Sequence, residues 1–340
     1  MPTQIRKAVI SAFGDESNIT IVNATIDDPT KDEVQVRVFY SSFSGTDVNM
    51  RLGRYPMQRA APLTPGYCLV GAVEKDSSSG NFKRGDVVGA LTIYDGQATL
   101  CNVPEKYLVL LPSGLDHRKA CALIVDWTTA YGLVMRSGKV SAGQRVFIHG
   151  LSGAVGYASA FLCQLQGVRV YGTASERNHV MLKTLGWTPY VYSNKNWIQS
   201  MKEIGGADIV FDPLGFESWD ESWSILSKNH SILIGYGGNL ATLNNQPSRS
   251  VVMPTIKLLS RNIMCLGFGN KTTKFYYISR DDKTFIPDLQ ALFELLQQDR
   301  IDVRIKSVFD LEDVQVAHRC WSNSALGAGV GSMLFNVGAK

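Results

Sequence analysis

Residues 145–175, RVFIHGLSGAVGYASAFLCQLQGVRVYGTAS, read as a strand, a glycine-punctuated turn, a helix and a second strand. Arg145–His149 is a short apolar run, and Gly150, Gly153 and Gly156 then mark the turn. Ala154–Gln166 keeps helical spacing without proline, and Val168–Gly172 is apolar again. In a βαβ unit such a turn offers the free N–H groups and the positive dipole end of a helix to an anion. Gly153 leaves room for close backbone approach, and Gly156 lets the helix pack on the strand. Glycine spacing alone is weak evidence, but its placement between two strands predicts a phosphate cradle at Ser152, Gly153, Ala154, Val155 and Gly156. The alternative is a glycine cluster that serves helix packing and binds nothing.

The end of the second strand bears on which nucleotide fits. Sites that prefer NAD carry an acid there to hold the ribose hydroxyls. This strand instead runs into Gly172-Thr173-Ala174-Ser175-Glu176-Arg177. Small hydroxyl residues and an arginine suit a 2′-phosphate, which a carboxylate would repel. Glu176 lies past the strand, where it can serve the first turn of the next helix. NADPH is therefore the expected cofactor, with Thr173, Ser175 and Arg177 among its contacts.

The 340 residues suffice for two domains with well-buried cores. Net charge is +4, and the basic residues are scattered, which gives no nucleic-acid or membrane surface. The N-terminus, MPTQIRKAVISAF, lacks the long apolar segment of a signal peptide, and no stretch reaches the length of a membrane span. A cytoplasmic location is expected. Six cysteines (Cys68, Cys101, Cys121, Cys163, Cys265, Cys320) lie far apart without a CxxC pair, as isolated reduced thiols would.

Residues before about Asp116 hold short strands with turn signals: KAVISAF, VQVRVFYSS, LVGAVEK, GDVVGAL and YLVLLP. They predict a β-rich, partly closed domain. A helical segment over Lys119–Arg136 leads into the glycine turn, after which strands and helices alternate. Strands are expected at Arg145–His149, Val168–Gly172, Tyr190–Tyr192, Asp208–Phe211, Ser231–Gly235 and, last, Ile263–Gly267. Six strands separated by helices imply a doubly wound parallel sheet. Helices near Ile286–Gln298 and Leu311–Cys320 and strands near Ile305–Phe309 and Ser332–Val337 add no further repeat. They are expected to rejoin the β-rich domain.

This order resembles the medium-chain dehydrogenase/reductase superfamily, and within it the zinc-free quinone oxidoreductase, zeta-crystallin-like branch that includes enoyl reductases. The landmarks are Asp47, Arg51-Leu52-Gly53-Arg54-Tyr55-Pro56, Pro65-Gly66, Lys83–Val88, Thr128–Tyr131, the Gly150–Gly156 turn, Asp212-Pro213-Leu214-Gly215 and Gly235-Tyr236-Gly237. The resemblance implies an α/β chain with a GroES-like catalytic domain over residues 1–124. A Rossmann domain with a six-stranded parallel sheet would follow over 125–268, and residues 269–340 would return to the catalytic domain. Zinc-dependent members carry ligands where this chain reads Ser44, Gly66-Tyr67-Cys68 and Val125. Serine, tyrosine and valine cannot build a tetrahedral N/S site, so no metal is expected. Without a Lewis acid, hydride transfer to an activated alkene or a quinone is the better suited chemistry, because hydrogen-bond donors can hold the enolate oxygen.

The resemblance implies an NADPH-dependent reductase of enones, enoyl chains or quinones, and a specialised biosynthetic intermediate such as a polyketide falls within that chemistry. The substrate would be a small molecule or carrier-bound. A non-catalytic, crystallin-like NADPH-binding protein is the alternative. Tyr55 either hydrogen-bonds the acceptor oxygen or packs the GRYP turn, and Tyr67 is either a second phenol near the same site or a core-edge aromatic. Asp47 and Ser44 are polar candidates in the same region, although the family's zinc-free members commonly have asparagine at the serine. Thr129 resembles the threonine beside the nicotinamide, and Asp126 is a helix N-cap, a proton relay or a carboxamide partner. Tyr192, Leu214, Gly235, Tyr236 and Phe268 complete the implied cofactor contacts. Loops around Leu240–Met253 and Gly269–Arg280 would shape the substrate site, with Phe275, Tyr276 and Tyr277 either walling it or packing inward. Dimers of this superfamily join Rossmann edge strands, which would be Ile263–Leu266 here. A short-chain reductase would need Tyr-x-x-x-Lys, and none of the thirteen tyrosines has lysine four positions on.

Overall fold

A computed structural model describes residues 2–247, 249–264, 270–322 and 329–338. The chain forms two compact units. One comprises residues 1–128, 280–327 and 332–340, and the other residues 129–279 and 328–331.

The first unit is built on β-strands. Its leading pair, β1 (Thr3–Ile10) and β2 (Ile19–Ile26), is antiparallel. Five more strands follow: β3 (Glu33–Phe43), β4 (Cys68–Val73), β5 (Val87–Leu91), β6 (Leu100–Pro104) and β7 (Val109–Leu110). Strand β3 carries the alternation that puts Val34, Val36 and Val38 into the core, and it pairs antiparallel with both β4 and β6. Sequence periodicity missed β2 and β6. Their apolar positions are interrupted by Asn23 and Asn102, which blurs the period-2 signal.

The second unit holds a six-stranded, all-parallel sheet: β8 (Arg145–Ile148), β9 (Arg169–Ala174), β10 (Thr188–Val191), β11 (Ile209–Asp212), β12 (Ser231–Gly235) and β13 (Lys271–Phe275). Their order across the sheet is β10-β9-β8-β11-β12-β13. The chain thus moves outward from β8 on one side and then crosses to β11 on the other. The β8/β11 junction is the topological switch point at which such sheets bind ligands. All four residues of β11 are buried, as a strand covered on both faces requires. Phe147, Trp197, Val210, Trp219, Leu233 and Leu258 form the core around it.

The sixth strand differs from the sequence expectation. Ile263 belongs to the helix Val252–Met264, and the edge strand is Lys271–Phe275. Residues 265–267 of the expected strand lie outside the described residues; Ile263 follows Leu259 by one helical turn, whereas KTTKF, with its β-branched threonines, suits an edge exposed to water. This strand also falls where a substrate-shaping loop was expected.

Two strands close the first unit: β14 (Ile305–Asp310) and β15 (Ser332–Asn336), which are parallel to each other, with β15 antiparallel to β3. The helical run before β8 is not uniform. It passes through π-helical turns at Leu123–Trp127 and Gly132–Ser137. Asp126 lies inside the first of them, so it caps no helix. Its buried carboxyl accepts a 2.6 Å hydrogen bond from Ser332 Oγ, and burial pushes its pKa up to about 6.

Candidate functional site

In the second unit the glycine turn sits at the carboxyl end of β8. Gly150 adopts φ +71°, a conformation that favours glycine, and Gly153 N–H donates to Gly150 O at 2.8 Å. The helix Ala154–Leu165 begins with Gly153 as its N-cap, with no side chain capping it. Its first N–H groups, at Ala154, Val155 and Gly156, therefore face the opening of the turn. A Cβ at Gly156 would stand 2.1 Å from Gly150 O, and one at Gly172 would stand 2.2 Å from Ile148 O. Backbone thus fills the space that side chains would need. Ser152 is half-buried, and its carbonyl accepts from Gly331 N–H.

Thr173 lies below the turn rather than on its open side. It is 3% exposed, and its hydroxyl meets Gly150 N at 3.3 Å and His149 Nδ1 at 3.1 Å. Beyond β9, Ser175 is half-buried with no capping bond, and Arg177 is exposed. Val191 pairs with Ala174, so Tyr192 (52% exposed) and Ser175 both leave the carboxyl ends of adjacent strands. No carboxylate ends β9, as read from the sequence. Leu214 and Tyr236 follow β11 and β12, and Tyr236 N–H donates to Asp212 O. Gly235 ends β12, where its carbonyl accepts from Tyr276 N–H. Thr129 is buried in the short helix Thr128–Tyr131. Phe268 lies outside the described residues. These features fit a dinucleotide phosphate at the switch point.

In the first unit, the two candidate phenols come together. Tyr55 Oη and Tyr67 Oη are 2.8 Å apart, with the rings edge to face. Tyr67 is 7% exposed and Tyr55 half-buried, and burial pushes both phenols up, so both hold their protons at neutral pH. Ser44 is the N-cap of the helix Gly45–Arg51. Its hydroxyl accepts from Thr46 N–H, and Asp47 completes a capping box by accepting from Ser44 N–H at 2.9 Å. The other oxygen of Asp47 accepts from Gln97 Nε2 at 3.1 Å. Gln97 is fully buried and had no signal in the sequence, because it lies fifty positions from its partner.

Burial raises Asp47 to about 7, against the hydrogen bonds from Ser44, its own N–H and Gly66, which favour the anion. An acid raised on folding binds more protons in the native state than in the unfolded chain. Its protonated form is accommodated below the unfolded pKa near 4, and stability is lost as pH rises through about 7. The loss at pH 8 is expected to be on the order of 2 kcal/mol or more. Asp47→Asn should flatten this dependence between pH 4 and 8, which chemical denaturation across that range will read.

The five cysteines among the described residues are free, as expected, but they are not all isolated. Cys68 Sγ and Cys121 Sγ lie 3.8 Å apart, both buried. Among the described residues, no three His, Cys, Asp or Glu side chains are grouped so as to hold a metal ion. Among them, too, no helix is long and apolar enough to cross a membrane.

The model of the alcohol dehydrogenase GroES-like domain matches residues 30–115, and that of zinc-binding dehydrogenase matches residues 185–325. Together they cover parts of both units. The chain belongs to the medium-chain dehydrogenase/reductase superfamily. Within the superfamily its similarity runs to the quinone oxidoreductase branch. The synaptic vesicle membrane protein VAT-1 homolog of Danio rerio is 29% identical over 84% of this chain and 61% of its own length. Human quinone oxidoreductase is 28% identical over 61% of this chain and 65% of its own length. The chain thus spans less than two thirds of either relative. Escherichia coli quinone oxidoreductase, solved in complex with NADPH, shares the fold at TM-score 0.81 and 20% identity, over 97% of this chain and 99% of that one. At the superfamily's zinc positions this member has Ser44 as a helix cap, Tyr67 in the phenol pair, the thiol of Cys68 and Val125 in a π-helical turn, a set whose single N/S donor is too few for a tetrahedral site.

Proposed function

We propose that this chain is an NADPH-dependent reductase of activated C=C bonds or quinones, acting on a small-molecule or carrier-bound acceptor. The observation that carries this reading is the glycine turn at the switch point, next to a β9 end that offers Ser175 and Arg177 and no acid. When bound, the reduced nicotinamide supplies a hydride. The second unit holds the nucleotide: helix N–H groups at Ala154–Gly156 bind the pyrophosphate, and Arg177 pairs with the 2′-phosphate. Tyr55 and Tyr67 remain protonated; with the single hydroxyl hydrogen of Tyr55 donated to Tyr67 Oη, Tyr67 donates to the acceptor oxygen as negative charge develops there. Asp47 and Ser44 fix the helix Gly45–Arg51 that leads into the Tyr55 turn. Similarity to quinone oxidoreductase supports the acceptor class.

The test is consumption of NADPH by the purified protein with a quinone, a simple enone and an enoyl thioester offered separately, with NADH run beside it. Turnover with NADPH on one of these is the expected result. Tight binding without turnover on all three would favour the non-catalytic NADPH-binding reading instead. Arg177→Ala should weaken NADPH about tenfold and leave NADH unchanged, as a fluorescence titration with both nucleotides will show.

Pairing of two copies through the edge strand belongs to the same proposal. Strand β13 has a single neighbour in its sheet, and the preceding helix exposes Val252, Met253, Ile256 and Ile263. Continuing the sheet across a two-fold axis would satisfy the edge and cover these side chains. Sedimentation at micromolar concentration should give a dimer; a monomer there contradicts the pairing.

A further inference from the structure

Beneath the glycine turn, four side chains that are far apart in sequence form one buried chain of hydrogen bonds. His149 Nδ1 lies 3.1 Å from Thr173 Oγ1, and His149 Nε2 lies 3.0 Å from Ser222 Oγ. Ser222 Oγ lies 2.7 Å from Asp212 Oδ2. Each of the four is 3% exposed or less. They belong to the ends of β8, β9 and β11 and to the helix Glu217–Ser224, so they cross the switch point from below.

The partners of Asp212 fix the direction of every proton. Its carboxylate accepts from Leu214 N–H, Gly215 N–H, Ser218 Oγ–H and Ser222 Oγ–H, which leaves no acceptor for a carboxylic proton. With its hydrogen committed to Asp212, Ser222 must accept from His149, which places the imidazole proton on Nε2. His149 Nδ1 is then an acceptor, filled by the Thr173 hydroxyl. Thr173 Oγ1 in turn accepts from Gly150 N–H at 3.3 Å. One order therefore runs from Gly150 N–H through Thr173, His149 and Ser222 to Asp212, each bond polarising the next.

We propose that this chain, with His149 as its central positioning residue, sets the conformation of the Gly150 turn for the dinucleotide pyrophosphate. The proposal rests on the NADPH reading above. Burial against the Phe147 and Trp197 rings, both nearly perpendicular to it, holds the imidazole below its ordinary range, against the pull of Asp212, and so keeps the ring neutral. At its other end Asp212 fixes the turn at Leu214 and Gly215, so one carboxylate steadies the loops after β8 and β11 together. None of the four side chains needs to touch the nucleotide.

The test combines nitrogen NMR of the nucleotide-free protein, which reads the His149 tautomer, with NADPH titrations of Ser222→Ala, Thr173→Val and Thr173→Ser. The wild type should show a single Nε2–H imidazole. Ser222→Ala and Thr173→Val should each weaken NADPH binding about tenfold, while Thr173→Ser, which keeps the hydroxyl, should bind like the wild type. Wild-type binding that Ser222→Ala leaves intact, or an Nδ1–H ring in the wild type, would overturn the proposal and leave the NADPH reading standing. A wild type that binds no nucleotide would overturn both.

Discussion

Gly156→Ala is expected to abolish tight dinucleotide binding and to destabilise the fold by about 3 kcal/mol. The added Cβ would lie 2.1 Å from Gly150 O and 2.9 Å from Gly150 C. Both are backbone atoms, and that carbonyl already accepts from Gly153 N–H at 2.8 Å, so it cannot swing aside without breaking the turn. The helix must then lift from β8, which removes packing and moves its N–H groups away from the phosphate position together. Gly153→Ala gives the contrast. Its Cβ would meet only Gly150 O, at 3.2 Å, a contact relieved by a shift of a few tenths of an ångström. Chemical denaturation and NADPH titration of the two variants should show a severe and a mild defect in that order. Equal behaviour would mean that the close approach at Gly156 does not shape the turn.

The second large effect is expected at the phenol pair. Tyr67→Phe should lower kcat about 100-fold with little change in KM, the loss associated with removing one donor to a developing oxyanion. Tyr67 is the more enclosed of the two, and its hydroxyl lies 2.8 Å from that of Tyr55. Deleting its hydroxyl therefore also frees Tyr55 from a fixed orientation. Tyr55→Phe should cost less, about tenfold, because the buried Tyr67 remains to donate. Steady-state kinetics on the acceptor that turns over will check both. An unchanged kcat in Tyr67→Phe would assign the pair to packing of the loop.

How much of this was legible in the chain depends on distance along it. The βαβ unit was plain, because glycine spacing and a change of period are local signals confined to residues 145–175. The edge strand was misplaced because the apolar end of a helix around Leu259–Ile263 and a buried strand look alike over a few residues. The true strand, KTTKF, is polar because only one side of it is paired. Tyr55 and Tyr67 could be named singly, and the structure adds that they touch. Thr173 could be placed beside the turn, while its burial beneath it could not. Gln97 with Asp47, Asp126 with Ser332, and the His149–Ser222–Asp212 series were invisible for a common reason. Each depends on a hydrogen bond between residues fifty or more positions apart, which no local pattern encodes.

The reductase reading is tested most directly by following isotope rather than cofactor. NADPH carrying deuterium at the transferable C4 position would be supplied with an enone, an enoyl thioester or a quinone, and the reduced product analysed by mass spectrometry and NMR. With an enone or enoyl acceptor, one deuterium at the β-carbon of the saturated product is the predicted result. With a quinone, whose reduction places hydrogen on exchangeable oxygen, stoichiometric hydroquinone per NADPH is predicted instead. Tight NADPH binding with no reduced product from any of the three acceptors would contradict the account.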